Sequence, residues 1–223
     1  MRAPGRPRDG ADDSAERILR EATTLFAEHG FYGTSTRAIA AAAGLNIATV
    51  AYHAGTKADL YRAVFRRLAA QERALVDGIV GAVDADTLAS PVALRALLAQ
   101  LIDALLAMTV EHPETPRLWV RRWLERPVEV GDSLEAEVAL PVFLPVRELL
   151  ERARAAGSLR ADGLDPGLFL QSFSWMLYGY FLGGPLDWAA SRADPLEPAR
   201  LRAFRDHLLA YTCRMLGLED SGR

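Results

Sequence analysis

The sequence predicts an all-α protein: a three-helix N-terminal head with a helix-turn-helix, followed by a larger helical body, about nine helices in total. Three observations carry this. Half of the 223 residues are hydrophobic, Ala, Leu and Arg dominate, and runs of β-branched residues are scarce. Apolar residues return at helical spacing along most of the chain. The stretch Thr36–Lys57, TRAIAAAAGLNIATVAYHAGTK, reads as two short helices joined by a tight turn.

Residues 1–13 hold Arg2, Arg6 and Arg8 among prolines, glycines and aspartates, and read as a flexible basic arm. Such an arm either reaches along a nucleic-acid groove or is a solvated tail. Ser14 is expected to begin the first helix, with a partial cap because Arg17 stands where a capping box has Glu. Ile18, Leu19, Ala22, Leu25 and Phe26 form its apolar face, and Gly30 closes it. One of Thr34, Ser35 and Thr36 should cap the next helix, whose buried side carries Ile39, Ala40 and Ala43. Gly44 sits where a positive φ is needed, and Asn46 is a good cap for the run Ile47–His53. Val50 should face the core. Asn46, Ala48, Thr49, Tyr52 and His53 are left for the outer faces, the layout of a helix built to enter a major groove.

The string LFAEHGFYGTSTRAIAAAAGLNIATVAYHAGTKADLY resembles the TetR/AcrR-type transcriptional regulators. The matching residues are Phe26, Gly30-Phe31, Gly33-Thr34-Ser35-Thr36, Ile39-Ala40, Ala43-Gly44-Leu45, Tyr52-His53, and Lys57 with Leu60. Asn46-Ile47-Ala48 and Gly55-Thr56-Lys57 look most like the CecR-type branch. The resemblance covers about residues 14–67. It implies contacts with double-stranded DNA from Thr36, Arg37, Asn46, Ile47, Thr49, Tyr52, His53 and Lys57. Lys57, the one lysine beside 25 arginines, stands where the family places a phosphate contact. The chain departs from the family at Ala51 and at Ala54, where a Phe is usual. Tyr61 or Phe65 is expected to fill the space that Ala54 leaves.

Charge follows the same division. Residues 1–67 carry ten basic and seven acidic side chains, a net +3, and the rest carries 16 and 22, a net −6. A basic N-terminal part on an acidic body suits a DNA reader attached to a regulatory domain. The domain expectation is an arm over 1–13, the helix-turn-helix domain over 14–60, and a ligand-binding and dimerisation domain over 61–223.

Lys57–Val83 reads as one long helix, and DADTLASP breaks the chain. Val92–Val110 is an apolar helix, ended by His112-Pro113-Glu114 and followed by a helix holding Trp119 and Trp123. Ser133–Ala156 is helical, kinked or split by Pro141 and Pro145, and Gly157 stops it. Asp165 caps the next helix with Pro166 at its first position. Phe169, Phe173, Leu177 and Phe181 recur along that helix every four residues. Leu201–Leu216 is the last helix. By resemblance these last two helices form a homodimer interface, with Phe169, Phe173, Phe204, Leu208 and Tyr211 as candidates. Two half-sites a helical turn apart independently require two heads related by a two-fold axis.

Met108, His112, Trp119, Trp123, Phe143, Trp175 and Tyr178 are candidates for an effector pocket, with Glu111, Arg121 and Arg122 as further polar groups. The plainer reading makes the aromatics core and His112 a helix-terminal residue. A hydrophobic or aromatic small molecule is the expected effector.

Other classes find little support. No G-x-S-x-G, H-E-x-x-H or G-x-x-x-x-G-K-[ST] pattern occurs, so an enzyme is not expected. Cys213 is the single cysteine, which leaves no intramolecular disulfide and no cysteine zinc site; no metal or other cofactor is expected. No apolar h-region opens the chain, and no apolar run is expected to span a membrane, the richest being Leu168–Pro185. A cytoplasmic, ligand-responsive repressor is the expected function. The alternative is a helical interaction scaffold that has lost specific DNA binding.

Overall fold

The computed structural model describes residues 9–131, 133–160, 163–186 and 191–218. Among them are ten α-helices: α1 (Asp9–Gly33), α2 (Thr36–Ala42), α3 (Ile47–Ala54), α4 (Lys57–Val80), α5 (Ala85–Ala89), α6 (Pro91–Glu111), α7 (Glu114–Glu125), α8 (Ser133–Ala155), α9 (Pro166–Gly183) and α10 (Pro198–Met215). The fold is all-α, as the periodicity predicts. The basic arm falls largely outside the described residues, and α1 begins at Asp9 rather than Ser14. The expected break at 84–91 contains a short helix, α5, because Asp84 caps it through the Thr87 N–H at 2.8 Å.

The chain gathers into two compact units, and the division does not follow chain order. One holds the described part of residues 1–68 together with Arg117–Glu137. The other holds Ala69–Pro116 and the described part of 138–223.

The first unit is built round an aromatic cluster. Ile18, Ala22 and Phe26 lie on the buried face of α1. Tyr61 meets Phe26 and Phe31 edge-on at 5.0 and 5.2 Å, and Phe65 at a tilt at 4.9 Å. Burial of each such ring stabilises the unit by roughly 1.5–3 kcal/mol. Tyr61 and Phe65 are fully buried and Ala54 is half-buried, so the core of this unit is well filled without the family's Phe. Leu118 and Trp119 of α7 complete it, Trp119 edge-on to Phe65 at 4.9 Å.

In the second unit α6 packs on α10, and Asp103 joins Arg205 through two bonds of 2.8 and 2.9 Å. The Asp103 carboxyl is held below its ordinary pKa chiefly by the Arg205 hydrogen bonds. Contrary to expectation, α8 continues through Pro141 and Pro145 as one helix. Pro145 has no N–H to give the Pro141 carbonyl. The Arg73 guanidinium of α4 donates to that carbonyl instead.

The membrane expectation needs one correction. By length and composition α6 is apolar enough to cross a bilayer, more so than Leu168–Pro185. Its Leu94, Leu98, Leu101, Ile102 and Leu106 are buried within the second unit, the pattern of a core helix.

Candidate nucleic-acid interface

The turn between α2 and α3 is set by local chemistry. Ser35 caps α2, its hydroxyl oxygen accepting from the Ala38 N–H at 3.1 Å. Gly44 takes φ +65, and the Leu45 N–H returns to the Ala40 carbonyl at 2.9 Å. Asn46 then caps α3. Its Oδ1 accepts from the Thr49 N–H at 2.8 Å and from the Thr49 hydroxyl at 3.0 Å. Ile39, Ala40 and Val50 point inward, which fixes the opposite sides of both helices toward solvent.

That outer side holds most of the predicted residues. Tyr52 is 85% exposed and meets His53 edge-on at 5.1 Å. Arg37 and Ile47 are exposed, and Thr36 is half-buried. Asn46 and Thr49 are at the surface, with the Asn46 oxygen and the Thr49 hydroxyl turned to each other.

Lys57 has a structural role that the sequence did not reveal. Its Nζ donates to the Phe31 carbonyl at 3.0 Å and the Thr34 carbonyl at 3.2 Å, and lies 4.2 Å from the Phe31 ring centre. It ties the start of α4 to the end of α1. An ammonium has three N–H groups, so one donor remains beyond these two. Lys57 and residues 32–36 line an open cleft at the start of α2. Thr56 and Asp59 close the first turn of α4 as a capping box. Hydrogen bonds from Thr56 hold the Asp59 carboxyl below its ordinary pKa.

Residues 18–64, which span this arrangement, match the family model described as bacterial regulatory proteins, tetR family. The N-terminal part of the chain thus matches the tetR-type regulatory domain. That domain match indicates a DNA-binding transcriptional regulator. Solved structures share the fold of this chain over most of its length. The TetR family transcriptional regulator PfmR from Thermus thermophilus is 22% identical, with 90% of this chain and 97% of that one covered and a TM-score of 0.60. The fatty acid degradation regulator FadR from Bacillus halodurans is 17% identical, with coverages of 87% and 97% and a TM-score of 0.64. Salmonella enterica GusR is 21% identical, with coverages of 92% and 95% and a TM-score of 0.61. No curated protein matches the sequence.

The second unit contains a cavity. Its volume is about 90 Å³, and its walls come from residues of α4, α6, α8, α9 and α10. Of the seven pocket candidates, only Phe143 and Tyr178 line it. Trp119 is instead core of the first unit, with Trp123 6.2 Å beyond it on the same helix. Met108 is half-buried away from the cavity, and Trp175 is 43% exposed. His112 caps the end of α6, its N–H on the Met108 carbonyl, which is the plainer of its two readings.

Of the further polar candidates, Arg121 and Arg122 have structural tasks in the first unit, while Glu111 lies in the second. Arg122, 1% exposed, holds Glu135 with two bonds of 2.8 Å. Arg121 donates to the Ala27 carbonyl at 3.0 Å and the Glu28 carbonyl at 2.7 Å, capping α1 from α7. Glu125 accepts the Phe31 N–H at 2.9 Å. Gly30, at φ +72, makes room for it: a Cβ there would fall 2.0 Å from Glu125 Oε1. The i,i+4 spacing of Arg121 and Glu125 signals only a surface pair, so sequence reasoning missed this clamp.

Among the dimer candidates, Phe169 and Leu208 are buried within the second unit. Phe173 lines the cavity, Phe204 stacks on Tyr180 at 3.8 Å, and Tyr211 stacks on Phe169 at 6.3 Å. Phe173, Phe204 and Tyr211 are half-buried. The apolar residues that α9 leaves exposed are Leu168, Trp175 and Leu182, seven apart on one stripe.

Proposed function

We propose that this protein is a TetR-type homodimeric repressor that binds a palindromic operator and is released by a small apolar effector. The observation that carries the reading is the exposed side of α3. It is a capped helix with Val50 anchored inside, Tyr52 and Ile47 presented to solvent, and His53 half-buried beside Tyr52. With Asn46 occupied as the cap, base readout falls to Tyr52, His53 and Arg37, and phosphate contact to Lys57 and Thr36. Two copies paired through the Leu168, Trp175 and Leu182 stripe would carry two such helices, as a palindrome requires. A cytoplasmic location goes with that role.

The cavity is the effector site in this reading. Glu72 and Val76 line it and lie on α4, the helix that begins at Lys57. The 15 residues from Lys57 to Glu72 span about 22 Å of continuous helix. A ligand that displaces α4 at Glu72 thereby acts on an element whose first turn anchors the DNA-contacting helices.

Gel-shift titration against a selected palindromic site tests the reading. Binding is expected to weaken steeply with salt, and Lys57→Ala to flatten the log–log slope by about one. A well-folded dimer without salt-dependent binding would sink it.

A further inference from the structure

Helix α1 is interrupted at Gly30, whose φ of 72 and ψ of −178 are not helical. In an unbroken helix the Ala27 carbonyl and the Phe31 N–H would be the two ends of one hydrogen bond. Here each end goes to α7. Arg121 Nε donates to the Ala27 carbonyl at 3.0 Å, and Glu125 Oε2 accepts from the Phe31 N–H at 2.9 Å. Arg121 Nη1 also donates to Glu125 Oε1 at 3.3 Å, which orients the carboxyl group. A pair of side chains 94 residues away thus takes over the bond that the interruption removes.

The residues just past Gly30 bear on Lys57. The Phe31 ring is 2% exposed, and the Phe31 and Thr34 carbonyls accept from Lys57 Nζ. The Thr34 hydroxyl is spent on the Leu25 and Gly30 carbonyls, at 3.0 and 2.8 Å. Ser35, the next residue, caps α2. Phe31 is therefore held at three points: its ring by the aromatic cluster, its N–H by Glu125 and its carbonyl by Lys57. Glycine permits many backbone conformations, so the peptide between Gly30 and Phe31 depends on such bonds for its direction.

Charge makes an acid in this place unexpected. A carboxylate repels a phosphate backbone, and its removal alone favours DNA binding. Yet Glu125 has a companion one turn on. Glu129 accepts the Tyr32 hydroxyl at 3.2 Å, and Tyr32 lines the cleft with Lys57. Two acids of the segment 117–137 hold two consecutive residues at the edge of that cleft.

We infer that Glu125 is a positioning residue for DNA binding: its bond to the Phe31 N–H fixes the turn after Gly30 and, through the Phe31 carbonyl, aims the Lys57 ammonium into the cleft at the start of α2. The inference rests on the reading of Lys57 as a phosphate contact, and adds to it a residue far outside the helix-turn-helix.

The experiment is a gel-shift titration at fixed salt, on a palindromic duplex selected from random sequence by the unsubstituted protein. Glu125→Ala is expected to weaken binding roughly tenfold, the factor that goes with losing one hydrogen bond to a charged group. Charge alone predicts the opposite sign. Glu125→Gln keeps an acceptor oxygen and should stay within about threefold of the unsubstituted protein. Glu125→Asp keeps the charge but shortens the reach, and should fall with Glu125→Ala. Beside Lys57→Ala, Glu125→Ala should weaken binding by less than about twofold more, because the contact it positions is already gone. Melting curves establish that each variant is folded. Should Glu125→Ala fail to fold, Glu125→Asp and the same double substitution built on it decide the matter. Glu125→Ala that binds as tightly as the unsubstituted protein, or more tightly, would overturn the inference. So would a Glu125→Gln variant as weak as Glu125→Ala, or a loss that persists in full beside Lys57→Ala, the mark of a general weakening of the head. If Lys57→Ala itself leaves binding and its salt slope unchanged, the phosphate-contact reading fails and the inference falls with it. A failure confined to the Glu125 variants leaves that reading standing.

Discussion

At the scale of single residues, stability near the DNA interface depends on small groups holding backbone ends. Asp59 accepts the Thr56 N–H at 3.0 Å and the Thr56 hydroxyl at 2.7 Å, and its pKa is lowered in consequence. A carboxyl depressed in the folded state stabilises it above the unfolded value of about 3.9 and ceases to do so as pH falls through the folded value. Asp59→Asn is thus expected to melt lower than the parent protein at pH 7, with the gap narrowing toward pH 3 in melts followed by circular dichroism. Trp119 raises a different question. It is 4% exposed against Phe65, and Trp119→Ala should cost about 3–5 kcal/mol in chemical denaturation. Trp119→Phe should cost less, since the indole N–H has no partner in the protein. The caps at Ser35, Asn46 and Asp165 and the positive φ of Gly44 were legible in the sequence, because each acts within three or four residues. The place of Trp119 was not. Helical spacing shows that a side chain faces inward but not which helix it meets.

At the scale of elements, the end of α1 is held from two directions. Lys57 of α4 takes the Phe31 and Thr34 carbonyls, and Arg121 of α7 takes those of Ala27 and Glu28. The last carbonyls of a helix lack partners within it and carry partial negative charge, which is why both caps are cations. Arg121→Ala should lower stability by about 1–2 kcal/mol, since the side chain is partly exposed. Glu125→Ala should speed amide exchange at Phe31 in particular. Unchanged exchange there would show that the Glu125 contact does not hold the turn. Helix boundaries were mostly readable, yet α8 ran through two prolines that argued for a break. The rescue comes from Arg73, 68 residues away in sequence from the Pro141 carbonyl it satisfies. A local rule cannot register such a partner.

For the whole molecule, pairing and order of assembly matter most. The stripe of Leu168, Trp175 and Leu182 on α9 is 64%, 43% and 40% exposed. Trp175→Asp is expected to shift sedimentation toward monomer and to weaken operator binding with it; an unchanged dimer would move the interface elsewhere. The interface candidates read from the sequence include Phe169 and Leu208, which are buried within the second unit, because core packing and an interface stripe satisfy the same helical spacing. Finally, Leu118, Trp119 and Arg121 supply core and caps to a head otherwise drawn from the first 68 residues. The DNA-reading part is therefore not a detachable cassette. A chimera joined at residue 60 would leave Tyr61, Phe65 and α7 behind, and a fragment ending at residue 68 would still lack α7. If α3 reads the operator as proposed, specificity can change through substitutions on its surface, but transplanting the head means transplanting residues 117–137 as well.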